Sequence, residues 1–193
     1  MAWGWNIIIS ISDLLEKHIA AITAVIAVAA VVQWRESRKA SERQLRAYLS
    51  VVIGQGGHIQ DRPNGVRFEG SPIIRNSGQT PAYKVRLWHR AEVLPNNVIP
   101  NFDFTIVETN ETSEATIGPQ ETRHMRVVVP GLIADVDVHG AQYGVGPCLW
   151  IWGLIKYEDA FGYARFTKFC QRLYWLHGGT VEGEYSKRYS GSD

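Results

Sequence analysis

Residues 19–32 read IAAITAVIAVAAVV, and Thr23 is the only polar residue in this run. A helix that is apolar on every face must be buried either in a large protein core or in lipid. No other part of the chain is large enough to bury this run, so lipid is the favoured environment. With its flanks included, the run reaches the roughly 20 residues that a membrane crossing requires. We therefore predict a transmembrane helix at 16–34.

Two alternatives to a retained anchor are a helix buried in a core or an oligomer and a cleaved secretory signal. The lack of a charged face argues against the first. A signal requires a basic amino-terminal region, and residues 1–12 contain no Lys or Arg. Trp3, Trp5 and the Ile7–Ile9 cluster instead predict an interfacial amphipathic segment at 1–15, with a helix break near Ser12–Asp13.

The charges beside the predicted span are asymmetric. Lys17 is the only Lys or Arg before the apolar run, whereas five follow it within residues 35–46. Flanks rich in Lys and Arg stay in the cytoplasm. We therefore expect a single-pass protein of the inner (plasma) membrane with a cytoplasmic carboxy-terminal domain. The next segment, 35–47, lacks Gly and Pro and predicts a charged helical stalk, which could also bind anionic headgroups. Its basic residues are Arg35, Arg38, Lys39, Arg43 and Arg46.

From residue 48 onward, short runs rich in Val, Ile, Tyr, Phe and Trp alternate with turn-forming residues. Tyr83–Val93 alternates strictly and predicts a half-buried strand with one wet face. Leu149–Tyr157 and Tyr163–Trp175 predict a central hairpin. We predict a mainly β fold, an antiparallel immunoglobulin-like β-sandwich at 48–176, followed by a flexible tail at 177–193. Further strands are predicted at Tyr48–Ile53, Val66–Phe68, Pro72–Arg75, Phe104–Val107, Arg123–Val129 and Ala134–His139.

The segment 74–82, IRNSGQTPA, has a mechanical interpretation. Asn76 and Gly78 form a tight turn, Pro81 blocks strand pairing on one side, and Ala82 leaves room for close sheet packing. This Asn-x-Gly-x-x-Pro-Ala turn resembles the early strands of bacterial immunoglobulin-like domains such as the cell-adhesion-related family. With the span, the basic stalk and the late Tyr157–Gly162 turn, the chain is similar to a recurrent group of uncharacterised single-pass proteins of bacteria and phages. The resemblance brings no catalytic residues with it.

Candidate chemical sites are few. No nucleotide-binding loop, nucleophile elbow or zinc-protease motif occurs, so we predict no catalytic, cofactor-binding or metal-binding residues and no cofactor. Asp135, Asp137 and His139 would share one face of a strand and could bind a cation. Their spacing of about 6.6 Å suits ligands poorly, and the simpler interpretation is the wet face of an edge strand.

Cys148 and Cys170 are the only cysteines in the chain. A hairpin loop centred near Ala160 places them about two positions out of register, at or beyond the reach of a disulfide. We interpret both as buried structural thiols.

The function predicted from these features is a membrane-anchored, non-enzymatic binding or assembly module. Its β-sandwich would engage a protein partner, or the chain would associate with itself through the Ala-rich span. The net charge of +1 gives no support to nucleic-acid binding, and no small-molecule substrate is indicated. A second hypothesis is a membrane-perturbing effector, pore-forming or depolarising, whose β-domain senses or regulates. An enzyme is the third class, and no group of residues supports it.

Overall fold

The computed structural model describes residues 2–61, 65–95, 102–109, 112–133, 138–140, 146–175, 181–186 and 188–193. Side chains are described in these ranges except at 2–17, 57–61, 65, 175 and 181–182. The chain forms two compact units, Met1–Gln44 and Leu45–Asp193.

The first unit is one continuous helix, α1, which covers Ala2–Leu45. The predicted break near Ser12–Asp13 is therefore wrong, and 1–15 does not form a separate helical segment. The reason is local: the helix contains no Pro, and a Ser or Asp in a helix interior costs only some tenths of a kcal/mol. At 1.5 Å per residue, α1 is about 66 Å long.

Within α1, the stretch His18–Leu45 is long and apolar enough to cross a membrane, by length and composition. The helix continues through the charged residues after Trp34, where Arg38 and Glu42 form an i, i+4 ion pair of 3.0 Å. Apolar side chains of the run stand out from the helix in the isolated chain, and Val25 is 69% exposed.

The second unit is built of antiparallel strands, and the described part of it contains ten. They are β1 (Leu49–Asp61), β2 (Gly65–Asn76), β3 (Ala82–Leu94), β4 (Ala115–Ile117), β5 (Thr122–His124), β6 (Val127–Val128), β7 (Cys148–Glu158), β8 (Ala164–Trp175), β9 (Val181–Tyr185) and β10 (Gly191–Ser192).

The strands form two sheets. In the small sheet β2 lies between β1 and the pair β5 and β6. In the large sheet the order is β10-β8-β7-β3-β4, with β9 also pairing with β8. The sheets enclose one apolar core, in which Phe68 and Ile74 of the small sheet pack with Ile151 and Ile155 of the large sheet. The mainly β prediction is thus confirmed, together with its antiparallel pairing.

In the small sheet, two segments that were predicted as separate strands form one strand. Val66–Phe68 and Pro72–Arg75 belong to the single strand β2. The strand predicted at Tyr48–Ile53 does not end there, because β1 continues through the glycines that follow Ile53, with a register shift between Val52 and Gln55. A Cβ at Gly54 would lie 1.7 Å from the carbonyl oxygen of Ser71, so only glycine fits this irregularity.

The large sheet confirms the two clearest strand predictions. Tyr83–Val93 lies within β3, and the predicted hairpin is β7 and β8, paired from Leu149↔Leu173 to Glu158↔Ala164. The hairpin loop is anchored by the buried carboxylate of Asp159, which accepts hydrogen bonds from the backbone N–H groups of Phe161 and Tyr163, both at 3.0 Å.

Four other predictions need correction. The segment 177–193 is not a loose tail, because its described residues form β9 and β10 along the outer edge of β8 and so satisfy backbone groups there. Arg123–Val129 is divided between β5 and β6. Phe104–Val107 is extended but pairs with no described strand. Of Ala134–His139, residues 134–137 lie outside the described residues and 138–140 form a helical turn.

Asn76, at the end of β2, is the centre of the predicted turn and is fully buried. Its Nδ2 donates to the carbonyl oxygens of Thr80 (2.8 Å), Ile117 (3.2 Å) and Gly118 (3.0 Å). Its Oδ1 accepts from the N–H groups of Gly78 (3.0 Å) and Tyr48 (3.3 Å). One side chain therefore joins the start of β1, the turn after β2 and the end of β4.

Candidate functional site

The outer face of the large sheet carries a second apolar cluster, separate from the core between the sheets. Cys148, Trp150 and Trp152 of β7 and Cys170 of β8 are each at most 3% exposed, under the ring of Phe104. The wet face predicted for Tyr83–Val93 of β3 is interrupted at Trp88, which is buried, and the neighbouring strand β7 is buried on both sides.

The cover is an extended segment, Phe102–Thr109, which we call the strap. Its side chains alternate, so that Phe102 and Phe104 turn towards the sheet while Asp103 and Thr105 face outward. The ring centroids of Phe102 and Phe104 lie 5.6 and 5.4 Å from that of Trp152, both in edge-on geometry. Aromatic packing of this kind, worth about 0.5–1.5 kcal/mol per pair beyond the area buried, holds the strap in place.

The backbone of the strap is nearly free of hydrogen bonds. The N–H of Thr105 donates to the side chain of Asp103 at 2.9 Å, and the carbonyl of Thr109 accepts from the indole N–H of Trp88 at 2.9 Å and from the hydroxyl of Thr112 at 3.3 Å. Within the described ranges, no other backbone N–H or C=O of the strap has a hydrogen-bond partner. The strap is thus an extended segment that pairs with no strand of the described part of the domain.

A groove of about 590 Å³ lies on the outer face of the large sheet, lined by the strap, β7, β8 and residues 188–191. Its apolar lining comes from Phe104, Trp152, Phe166 and Tyr189, among others. The indole nitrogen of Trp152 is buried and has no acceptor among the residues that the structure describes. A buried N–H without a partner costs about 1–3 kcal/mol, so a ligand acceptor at this position would be stabilised.

The groove is also charged. Lys156 forms an ion pair of 2.7 Å with Glu108 of the strap. Lys168 and Arg188, in contrast, form no ion pair with a described carboxylate. The other carboxylate on the groove, Asp103, accepts hydrogen bonds from the hydroxyl and the N–H of Thr105, which lower its pKa. Lys168 and Arg188 instead lie over the rings of Phe166 and Tyr189, 5.9 and 5.4 Å from the ring centroids, so their charges are not neutralised by a described carboxylate.

The edge of β1 that faces away from β2 is closed by side chains of the large sheet. Thr167 Oγ1 donates to the carbonyl of Leu49 (2.7 Å), and Gln171 Nε2 donates to that of Val51 (3.0 Å). The hydroxyl of Tyr185 donates to the same Val51 carbonyl and accepts from the N–H of Ile53, both at 3.0 Å. A partner strand cannot pair here without displacing these groups.

The cysteines are buried and unbridged, as predicted. The predicted register is wrong, however, because the loop is centred on Phe161 and Cys170 therefore pairs with Trp152. Cys148 consequently lies four positions from that partner rather than two. Burial raises the pKa of Cys148 to about 11 and that of Cys170 to about 12, so both thiols are protonated at neutral pH.

The Asp-His pattern gives no assembled site in the part of the chain that is described. Asp135 and Asp137 lie outside the described residues, and His139 is exposed in the helical turn 138–140. Among the described side chains, no three His, Cys, Asp or Glu residues are placed to hold a metal ion.

Sequence reasoning identified neither the strap nor the groove, although two signals were present. Phe104–Val107 alternates like a strand, as the strap does. The run CLWIWGLI in β7 is apolar at consecutive positions, which is typical of a strand buried on both faces and implies a cover on the outer one.

Comparisons with known proteins give one match. Residues 9–171 match the family model of the domain of unknown function DUF8453. No curated protein and no solved structure matches the chain. The matched range begins in α1 before the apolar run and ends within β8, so a single family model covers the helix and most of the β-domain. The chain belongs to the DUF8453 family.

Proposed function

We propose that this protein is a membrane-anchored, non-enzymatic binding module. In this proposal α1 crosses the inner (plasma) membrane once, its charged end forms a stalk, and the β-domain is an immunoglobulin-like sandwich in the cytoplasm that engages a protein partner. The observation that carries the proposal is the groove, which is bordered by the strap and lined by aromatic rings and by the cations Lys168 and Arg188, with the buried indole N–H of Trp152 beneath it.

The anchor is supported by the apolar stretch within His18–Leu45 and by the coverage of helix and domain by one family model. The cytoplasmic placement rests on the basic residues that follow the apolar run, which favour retention on that side.

The non-enzymatic assignment is supported by the burial and the hydrogen bonding of the two potential nucleophiles near the groove, Cys170 and Ser190. Cys170 is fully buried, and its raised pKa leaves almost no thiolate at neutral pH. The hydroxyl of Ser190 accepts a hydrogen bond from the N–H of Cys170 at 3.1 Å, which is a structural contact between β8 and the segment before β10. Among the described residues, neither group has an adjacent base of the kind that activates a nucleophile.

Single introduced cysteines would test the topology, because both native thiols are buried. We would make Gln79→Cys, at an exposed turn of the β-domain, and Ala2→Cys as the matched reporter for the other side. With a membrane-impermeant maleimide, we expect the first to react only in opened membranes and the second in intact cells. The reverse pattern would overturn the cytoplasmic assignment, and recovery of the chain in the soluble fraction would overturn the anchor.

Measuring the membrane potential of expressing cells distinguishes a membrane-perturbing effector from a binding module. A passive anchor should leave the signal of a potential-sensitive dye unchanged at expression levels matched to an unrelated single-pass protein. Depolarisation by the full chain, absent when residues 1–34 are deleted, would replace the binding module with the effector.

A further inference from the structure

We propose that the groove binds an extended acidic peptide of a protein partner, which pairs with the free backbone of the strap and places carboxylates at Lys168 and Arg188. This inference rests on the proposed function and adds to it the class of partner and the surface that the partner uses.

The backbone of the strap provides the pairing edge. An extended segment whose N–H and C=O groups lack partners is a template for strand addition. The strap, Phe102–Thr109, spans about 25 Å at 3.3 Å per residue, which is enough for a typical strand. It lies along the groove, so a peptide seated there is next to the unpaired groups.

Two other strand edges leave less room for a partner. The free edge of β1 is capped by Thr167, Gln171 and Tyr185. The outer edge of β8 pairs with β9 and β10, and between them its Cys170 N–H and carbonyl contact Ser190 and Ser186. We assign strand addition to the strap because no described strand pairs with it and because it borders the groove.

The side chains of the groove select the peptide. Lys168 and Arg188 favour acidic residues, since the carboxylates of the groove are already engaged by Lys156 and Thr105. Aromatic rings at Phe104, Trp152 and Phe166 favour apolar residues between the acidic ones. Because side chains alternate along a strand, one peptide can present carboxylates and apolar groups in turn. A backbone carbonyl of the peptide would accept from the indole N–H of Trp152, after a small side-chain adjustment that opens this buried nitrogen.

The test uses the full chain in lipid nanodiscs and a library of decapeptides that carry Asp or Glu at every second position and apolar residues between. Peptides selected on the native chain should bind the double variant Lys168→Glu, Arg188→Glu at least about tenfold more weakly. The matched control is Arg75→Glu, which reverses an exposed cation on the small sheet and should leave binding unchanged. All three positions are exposed, so the substitutions should leave the domain folded. Thermal unfolding of each variant checks that it does fold.

Amide hydrogen exchange gives the second readout. In the free chain the strap amides other than that of Thr105, which donates to Asp103, should exchange rapidly, and a bound peptide should protect alternate amides within 104–108 by at least about tenfold, because successive N–H groups of a strand point to opposite sides and only one set gains hydrogen bonds. Protection elsewhere with the strap unchanged would overturn strand addition, as would an absence of selected peptides. Competition by oleate, with no effect of the charge reversals on peptide binding, would assign the groove to a lipid-like ligand instead. If both peptide experiments fail while the maleimide labelling gives the expected topology, the groove is rejected as the binding surface and only the membrane anchor and its orientation are supported.

Discussion

The replacement Asn76→Ala tests the structural role of the turn after β2. The side chain is fully buried; the two N–H groups of Nδ2 are shared among three carbonyl oxygens, and Oδ1 accepts from two backbone N–H groups. Alanine leaves the N–H groups of Tyr48 and Gly78 without this acceptor. Each unsatisfied buried donor costs about 1–3 kcal/mol, and the freed carbonyls add a smaller amount because a carbonyl can find other partners.

We therefore expect Asn76→Ala to lower the free energy of unfolding of the β-domain by about 3 kcal/mol, and the midpoint temperature by roughly 6–12 °C. The assay is urea unfolding of the chain in nanodiscs, followed by tryptophan fluorescence. Gln79→Ala is the matched control, because Gln79 is exposed in the same turn and should change stability by no more than about 0.5 kcal/mol. A loss below about 1 kcal/mol for Asn76→Ala would refute the assignment of this side chain as the joint between β1, β2 and β4.

Three further predictions concern the domain. Thr167→Val should lower the free energy of unfolding by about 1–2 kcal/mol, because the carbonyl of Leu49 loses its donor, whereas Thr167→Ser keeps the hydroxyl and should not lower it in this way. Equal stability of the Val variant and the native chain in urea would contradict the edge-capping role. Gly162→Ala should cost about 1 kcal/mol from backbone strain alone, since φ is +82° and no atom lies within 4 Å of an added Cβ; an unchanged urea midpoint would contradict this. At pH 8, Cys148 and Cys170 should react with an aromatic disulfide reagent only on unfolding, and a fast native phase would argue against their burial. Because their pKa is raised in the folded state, stability should fall as pH rises from about 9 towards 11.

Much of the architecture was predictable because it depends on local patterns. The apolar run at 19–32 predicts a helix by composition alone, and the alternation in Tyr83–Val93 predicts β3 because side chains alternate across a strand. The turn at 76–82 was also predictable, since Asn76, Gly78 and Pro81 each act on the backbone of their own neighbours.

Register was less predictable than the elements themselves. The loop 159–163 is centred one residue later than the sequence suggested, because the carboxylate of Asp159 binds the N–H groups of the loop and sets its geometry. A displacement of one residue in the loop changes the cross-strand pairing of Cys170 by two positions.

The candidate site could not be predicted from the sequence alone. Periodicity indicates which side chains share a face, but it does not indicate what covers that face. The strap crosses β7 from a position about 45 residues earlier in the chain, and β9 and β10 return to β8 after a segment rich in glycine. Likewise, Thr167 and Gln171 are polar residues on an inner face, and only the approach of β1 explains them.

By itself, the sequence determined the apolar helix, the antiparallel hairpin and the turn at Asn76, because each depends on interactions among residues that are close in the chain. The tertiary structure alone decided which sheet edges are closed, where the strap lies, and which aromatic and basic side chains face one groove. These features arise from contacts between distant segments, whose free energy depends on packing and on the pairing of buried polar groups rather than on local periodicity.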